Sequence, residues 1–181
     1  LMKNYLNPAG CPCGKNHTIS IDDVLIGSGV VREIPKLLQR YGAKRPFLLA
    51  DINTWEAAGR QVSQLLENAG YCYSRHVFQE SIPEPDELRV GGAVMHFDHS
   101  CDIIIGIGSG VINDIGKILS RMSGKKYIIV ATAPSMDGYA SDTSSMAING
   151  LKVTVDSRSA DVIIGDLDVL KNAPMHMMMS G

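Results

Sequence analysis

The sequence predicts a doubly wound α/β domain built on a mostly parallel sheet, and three features predict it. Short apolar runs alternate with longer segments of helical period, most of those runs are apolar on both faces, and glycines close the helical segments. A strand covered by helices on both sides is apolar throughout, whereas a strand with one wet face alternates. The runs that read as strands are Val24 to Ile26, Pro46 to Ala50, Tyr71 to Val77, Asp102 to Gly106, Tyr127 to Val130 and Val162 to Gly165. Helical period runs through Pro35 to Arg40, Thr54 to Asn68, Asp86 to Phe97 and Val111 to Arg121. Gly42, Gly70 and Gly124 follow the first, second and fourth of these as stops, and Thr54 reads as an N-cap. Ser145 to Asn149 and Lys152 to Asp156, joined through Asn149-Gly150, read as a β-hairpin with a tight turn, a small insertion on the sheet.

A chain of 181 residues with 45% apolar content buries a full core and falls in the size range of one domain, so residues 1–181 are read as a single unit with an irregular opening over 1–18. The 17 basic and 19 acidic residues give a formal charge of -2 with no long run of either sign. That balance carries no footprint for nucleic acid or for an anionic membrane, and a small molecule is the expected partner. No stretch approaches the roughly eighteen uninterrupted apolar residues of a membrane span. The polar first thirty residues are unlike a signal peptide, so a cytoplasmic location is expected. Cys72 and Cys101 adjoin strand-like segments and are expected to be buried thiols rather than disulfide partners.

The strand from Asp102 runs straight into Gly106-Ile107-Gly108-Ser109-Gly110, and Val111 to Lys117 follows with helical spacing. Glycines let a backbone approach a diphosphate closely, and the free N–H groups of a first helical turn offer donors and partial positive charge to that anion. The spacing fits neither the G-x-G-x-x-G fingerprint nor a P-loop, and the other reading is a tight βα turn that needs positive φ and binds nothing. Asp51 closes the strand from Pro46 at its expected carboxyl edge, where a carboxylate either accepts from an adenosine ribose or caps the next helix. A carboxylate facing the ribose favours NAD over NADP, since it repels a 2′-phosphate.

After the strand Tyr127 to Val130 comes Ala131-Thr132-Ala133-Pro134-Ser135-Met136-Asp137-Gly138-Tyr139-Ala140-Ser141, dense in hydroxyls and backbone donors. Such a loop at a sheet's carboxyl edge suits polar ligands. The glycine turn with Asp114 and Lys117, followed by Thr132-Ala133-Pro134-Ser135-Met136-Asp137-Gly138, resembles the sn-glycerol-1-phosphate dehydrogenases. Those belong with glycerol dehydrogenase, the metal-dependent group III alcohol dehydrogenases and dehydroquinate synthase. The Cys-Pro-Cys-Gly-Lys-Asn-His opening also resembles bacterial members, and the similarity runs to Gly181.

The resemblance implies a Rossmann-like domain that binds NAD(P), with Gly108, Ser109, Gly110, Asp114 and Lys117 at the cofactor diphosphate and Thr132, Ser135 and Ser141 toward the nicotinamide. It places Asp137 at the substrate, a phosphorylated triose, and implies a homo-oligomer. The family's glycine turn usually has three consecutive glycines, and Ile107 and Ser109 interrupt it here. Read without the family, Asp137 is an Asp-Gly turn residue and Lys117 a solvated helix lysine. In the family a helical second domain supplies a divalent metal, usually zinc, through one aspartate and two histidines. Residues 173–181 resemble the approach to that domain and stop short of the aspartate, so neither a complete catalytic set nor a metal site is expected in this chain, and it is expected to be inactive alone.

Two other sets of metal-ligating residue types stand in the sequence. His96 and His99 fall at i, i+3 beside Asp98, which suits zinc or ordinary helix C-terminal chemistry; Cys11, Cys13 and His17 suit three ligands or a loop with free thiols. Met175, Met177, Met178 and Met179 read as apolar positions of a helix start. The rival functions are a polyol dehydrogenase of the same superfamily and a stand-alone, non-catalytic nucleotide-binding module.

Overall fold

The computed structural model describes residues 20–80 and 83–179. The cysteine-containing opening, with Cys11, Cys13 and His17, lies outside the described residues. In chain order come β1 (Asp23–Gly27), a 3-10 turn (Val30–Glu33), α1 (Ile34–Tyr41) and β2 (Pro46–Asp51). One continuous helical rod follows, made of α2 (Ile52–Thr54), a π-helical turn (Trp55–Gly59) and α3 (Arg60–Asn68). Then come β3 (Ser74–Phe78), α4 (Glu87–His96), β4 (Ile103–Gly108), α5 (Gly110–Ser123) and β5 (Lys126–Ala131). The hairpin β6 (Thr143–Ile148) and β7 (Leu151–Asp156) precedes β8 (Val162–Asp166), α6 (Leu167–Leu170) and α7 (Met175–Met179).

Six strands form one sheet in the order β1-β8-β5-β4-β2-β3, and every pairing is parallel. The central strands are apolar on both faces because each face carries its own core. Leu48, Ala50, Ile105, Ile107, Ile128 and Val130 pack under α1 and the α2–α3 rod, whose Leu38, Trp55, Val62 and Leu66 cover them. Phe47, Leu49, Ile104, Tyr127 and Ile129 face the other way, under Ala93 of α4 and Ile112, Ile115 and Leu119 of α5. The helix after β2 and the helix after β4 therefore lie on opposite faces, although β2 and β4 are neighbours. Between the carboxyl ends of those two strands the winding reverses, and a crevice opens there for topological reasons.

The ends of the elements refine the expectations. Asp51, not Thr54, caps the second helix: its Oδ1 accepts from Thr54 N at 2.8 Å while Thr54 Oγ1 accepts from Asp51 N at 3.0 Å. That reciprocal pair satisfies donors at both ends of the first turn. β3 starts at Ser74 rather than Tyr71, because Gly70 N and Tyr71 N still bond back to Glu67 O and Leu66 O and close α3. This exit leaves Cys72 exposed, against the expectation of a buried thiol, while Cys101 is buried. Gly42, Gly70 and Gly124 adopt the left-handed conformation expected of helix stops.

The hairpin is not inserted on the main sheet but forms a second, two-stranded sheet. A side chain and a backbone carbonyl of α5 hold it. Lys117 is 1% exposed in its side chain, and its Nζ pairs with Asp114 Oδ1 at 2.9 Å and donates to Thr143 O. Ser144 Oγ donates to Asp114 O at 3.1 Å, and near α4 Ala147 N donates to Pro85 O at 2.8 Å. Lys117 is thus a buried brace, which overturns the reading of a solvated helix lysine.

Close packing of α5 on the sheet depends on two missing side chains. A Cβ at Gly106 would lie 2.9 Å from Tyr127 Cε2, and one at Gly116 would lie 2.5 Å from Tyr127 Cζ. The fully buried Tyr127 ring fills the space between β4 and α5 that these glycines leave. Gly116→Ala is expected to destabilise the fold by about 2 kcal/mol or more through overpacking. Gly91→Ala in α4, whose Cβ would meet nothing within 4 Å, is expected to stabilise it by about 0.5–1 kcal/mol, both read from urea midpoints. Lys117→Met is expected to cost about 2–3 kcal/mol by stranding Asp114, less than for a fully buried pair because Asp114 keeps 16% side-chain exposure; adding Asp114→Asn should restore at least half.

Candidate functional site

The glycine turn, Asp51 and the loop after β5 meet at the carboxyl edge of the sheet. Gly108 is level with Ala131 of β5 in the strand register. Leu49 is opposite Gly106 and Asp51 opposite Phe78. Continuing the β2–β4 register by two residues sets Asp51 level with Gly108, so Ala131, Gly108, Asp51 and Phe78 form one row along the edge. Adjacent members of such a row are about 5 Å apart.

The alternative reading of the turn, glycines that serve positive φ, does not hold. None of Gly106, Gly108 and Gly110 has a positive φ. Gly108 is required because its Cβ would lie 2.5 Å from Ile112 Cβ, so the first turn of α5 folds directly over it. At Gly110 a Cβ would meet only Met136 Cγ at 3.7 Å, an ordinary contact. Ser109 precedes α5 without a side-chain cap, and among the described residues the N–H groups of Ser109, Gly110, Val111 and Ile112 have no hydrogen-bond partner. Unfilled donors at the positive end of a 14-residue helix make this turn the strongest anion-attracting feature of the crevice.

Three contacts stitch the loop after β5 to that turn and its helix, and two more fold the loop on itself. Thr132 N donates to Gly108 O at 3.1 Å. Asn113 Nδ2, on a residue 1% exposed, donates to Gly138 O at 3.1 Å. The Tyr139 hydroxyl stands 3.0 Å from Ala133 O and 3.3 Å from Gly108 O, and burial pushes this phenol up to about 12, so it keeps its proton near neutral pH. Met136 Sδ accepts from Gly138 N at 2.9 Å and keeps the loop folded on itself. Asn113, Met136 and Tyr139 were not singled out from the sequence; only their closeness to the two motifs marked them.

The loop also walls a pocket of about 340 Å³ lined by Pro134, Ser135, Met136, Asp137 and Met178, the last from α7. The structure thus brings Gly108, Ser109, Gly110, Asp51 and Thr132 to one edge, and gathers Ser135 and Asp137 in the adjoining pocket. Asp114 and Lys117 pair with each other beneath the loop. The Ser141 hydroxyl accepts from Thr143 N at 3.1 Å and meets Thr143 Oγ1 at 2.9 Å, turning the chain into β6. Asp51 serves as the cap described above, which engages one of its carboxylate oxygens.

His96 and His99 do not share a helix face. α4 ends at His96 and Phe97 is extended, so His96 stacks on His76 at 4.3 Å while His99 sets its ring edge against Phe97. Burial is the main cause that lowers the His76 pKa, with His96 adding to it. Among the described residues no group of three or more His, Cys, Asp or Glu side chains is placed to hold a metal ion, so the donor set present does not fit the metal expected of the family. Among the same residues no helix is long and apolar enough to cross a membrane.

Comparison with known proteins gives these features a family. The family model for iron-containing alcohol dehydrogenase matches residues 25–174. The chain is 31% identical over 175 residues to a glycerol-1-phosphate dehydrogenase [NAD(P)+] of Halalkalibacterium halodurans, covering 94% of this chain and 44% of the relative. It is 30% identical over 161 residues to the enzyme so named from Methanosarcina acetivorans, covering 88% and 44%. Among solved structures, a glycerol dehydrogenase from Schizosaccharomyces pombe superposes with a TM-score of 0.79 at 21% identity over 88% of this chain and 41% of that one, a likeness of fold. The chain spans less than half the length of the relatives it matches. With its reversed winding, glycine turn and stitched loop inside the matched region, the chain belongs to the iron-containing alcohol dehydrogenase family.

Proposed function

We propose that the carboxyl-edge crevice between β2 and β4 is the NAD(P) site of an oxidoreductase that moves a hydride between NAD(P)H and dihydroxyacetone phosphate. The observation that carries this reading is the row of unfilled N–H donors at the start of α5, opening into the crevice where the winding reverses. The similarity to enzymes named glycerol-1-phosphate dehydrogenase [NAD(P)+] supports the phosphorylated substrate. The likeness to a glycerol dehydrogenase at 21% identity is one of fold and does not favour a free polyol.

In this reading the N–H groups of Ser109 and Gly110 hold the diphosphate, and the absent Cβ of Gly108 keeps the first turn of α5 close to it. Asp51, level with Gly108, faces the adenosine ribose with the oxygen its cap leaves over. Asp114 is neutralised by Lys117, so its carboxylate sits near a dianion without full repulsion. Thr132 and Ser135 line the nicotinamide side, Asp137 meets the substrate in the pocket, and Ser141 and Lys117 brace the loop that carries them. The cofactor supplies the hydride; the chain supplies position and exclusion of water. No step is assigned to a metal, because the described donors do not fit one. In this reading the 181 residues by themselves bind nucleotide without turnover of dihydroxyacetone phosphate.

Calorimetric titration of the 181-residue chain with NADH and NADPH is expected to give saturable binding, with NADH tighter if Asp51 faces the ribose. Gly108→Val is an unsuitable control, since its side chain would collide with Ile112. Gly110→Val tests the site instead: affinity should fall about tenfold or more by crowding the donors, with the unfolding midpoint within a few degrees of the parent. Equal affinity in the variant would remove the glycine turn from the site, and measurable turnover of dihydroxyacetone phosphate by the chain alone would contradict its inactivity.

A further inference from the structure

We infer that Tyr139 is a positioning residue that aims the Ser109 N–H at the nucleotide diphosphate; the inference rests on the nucleotide reading above. Gly108 O and Ser109 N–H belong to one peptide unit, and in a trans peptide they point in opposite directions. The carbonyl is held from the β5 side by Thr132 N at 3.1 Å and by the Tyr139 hydroxyl at 3.3 Å. Since β4 lies between β5 and β2, a carbonyl fixed toward β5 sends the Ser109 N–H toward the β2 side, into the crevice beside Asp51.

The hydroxyl shares its single proton between Gly108 O and Ala133 O, which both face it. Without that proton both carbonyl oxygens lose a donor, and the Gly108–Ser109 peptide is held by Thr132 N alone. The ring of Tyr139 packs against the α5 face of the sheet, so Tyr139→Phe keeps the packing and deletes only the donor. Nothing else in the loop reaches Gly108 O from a side chain among the described residues. Burial keeps this phenol protonated throughout the neutral range, so it acts as a fixed donor and not as an acid.

The test uses ADP, which carries the diphosphate without the nicotinamide. Amide spectra of the parent chain are recorded during titration, followed by calorimetry of the parent and Tyr139→Phe. The expected result is a downfield shift of the Ser109 amide proton on ADP binding in the parent, its loss in the variant, and about tenfold weaker ADP binding at an unfolding midpoint within a few degrees. Equal ADP affinity and an unchanged Ser109 shift in the variant overturn the role of Tyr139 while leaving the nucleotide site standing. ADP binding that leaves the parent's Ser109 amide unmoved overturns it without reference to any variant. No binding of ADP or NADH by the parent would bring down the nucleotide reading and this inference together.

Discussion

Tyr127 lies with no exposed surface between a strand glycine and a helix glycine, and no larger residue fits at Gly106 or Gly116 without displacing its ring. This close approach fixes how near α5 lies to β4. A helix seated at that distance begins at once where the strand ends, with only Ser109 between them. The unfilled N–H groups of the helix therefore emerge at the sheet edge and not several residues beyond it. Gly108 completes the constraint, because Ile112 occupies the volume its side chain would need. The glycines of the turn are thus packing residues first, and the affinity of the turn for an anion follows from where that packing ends the helix.

A second constraint is topological. The α2–α3 rod covers one face of the sheet and α5 the other, so among the described residues no helix crosses the carboxyl ends of β2 and β4. Polar backbone there stays open to a ligand, while the neighbouring end of β5 is closed by the loop that Thr132, Asn113 and Tyr139 fasten to the turn. One side of the crevice is hydrogen-bonded to the loop and rich in donors, and the other carries Asp51. Beneath the loop, the buried Lys117–Asp114 pair ties α5 to the hairpin, so loop and turn are referred to the same helix.

The strands and most helices were legible because burial on two faces writes a continuous apolar run, and glycine stops write a backbone requirement into single residues. The hairpin was legible from Asn149-Gly150, both of which take positive φ. Its separation from the main sheet was not, because the Lys117 side chain and the Asp114 carbonyl of α5 hold it there and strand periodicity does not register them. Asp51 as cap and Thr54 as its partner were a matter of register within one turn, where both residues suit the role. The location of the site was readable at the glycine turn and in the loop from Thr132 to Gly138, but the reason for the glycines was not. Close approach to a diphosphate and positive φ were the two local explanations, and contacts with Tyr127 and Ile112 are the tertiary one. Asn113 and Tyr139 escaped notice because a lone polar side chain bonded to a distant carbonyl leaves no pattern in a sequence.

The central claim, that nucleotide binds at the joined turn and loop, is tested most directly by hydrogen–deuterium exchange of the chain with and without saturating NADH. Slowed exchange at residues 51–54, 106–113 and 131–138 is the predicted result. Protection that leaves residues 106–113 and 131–138 unchanged, or an unchanged pattern at saturation, would contradict it.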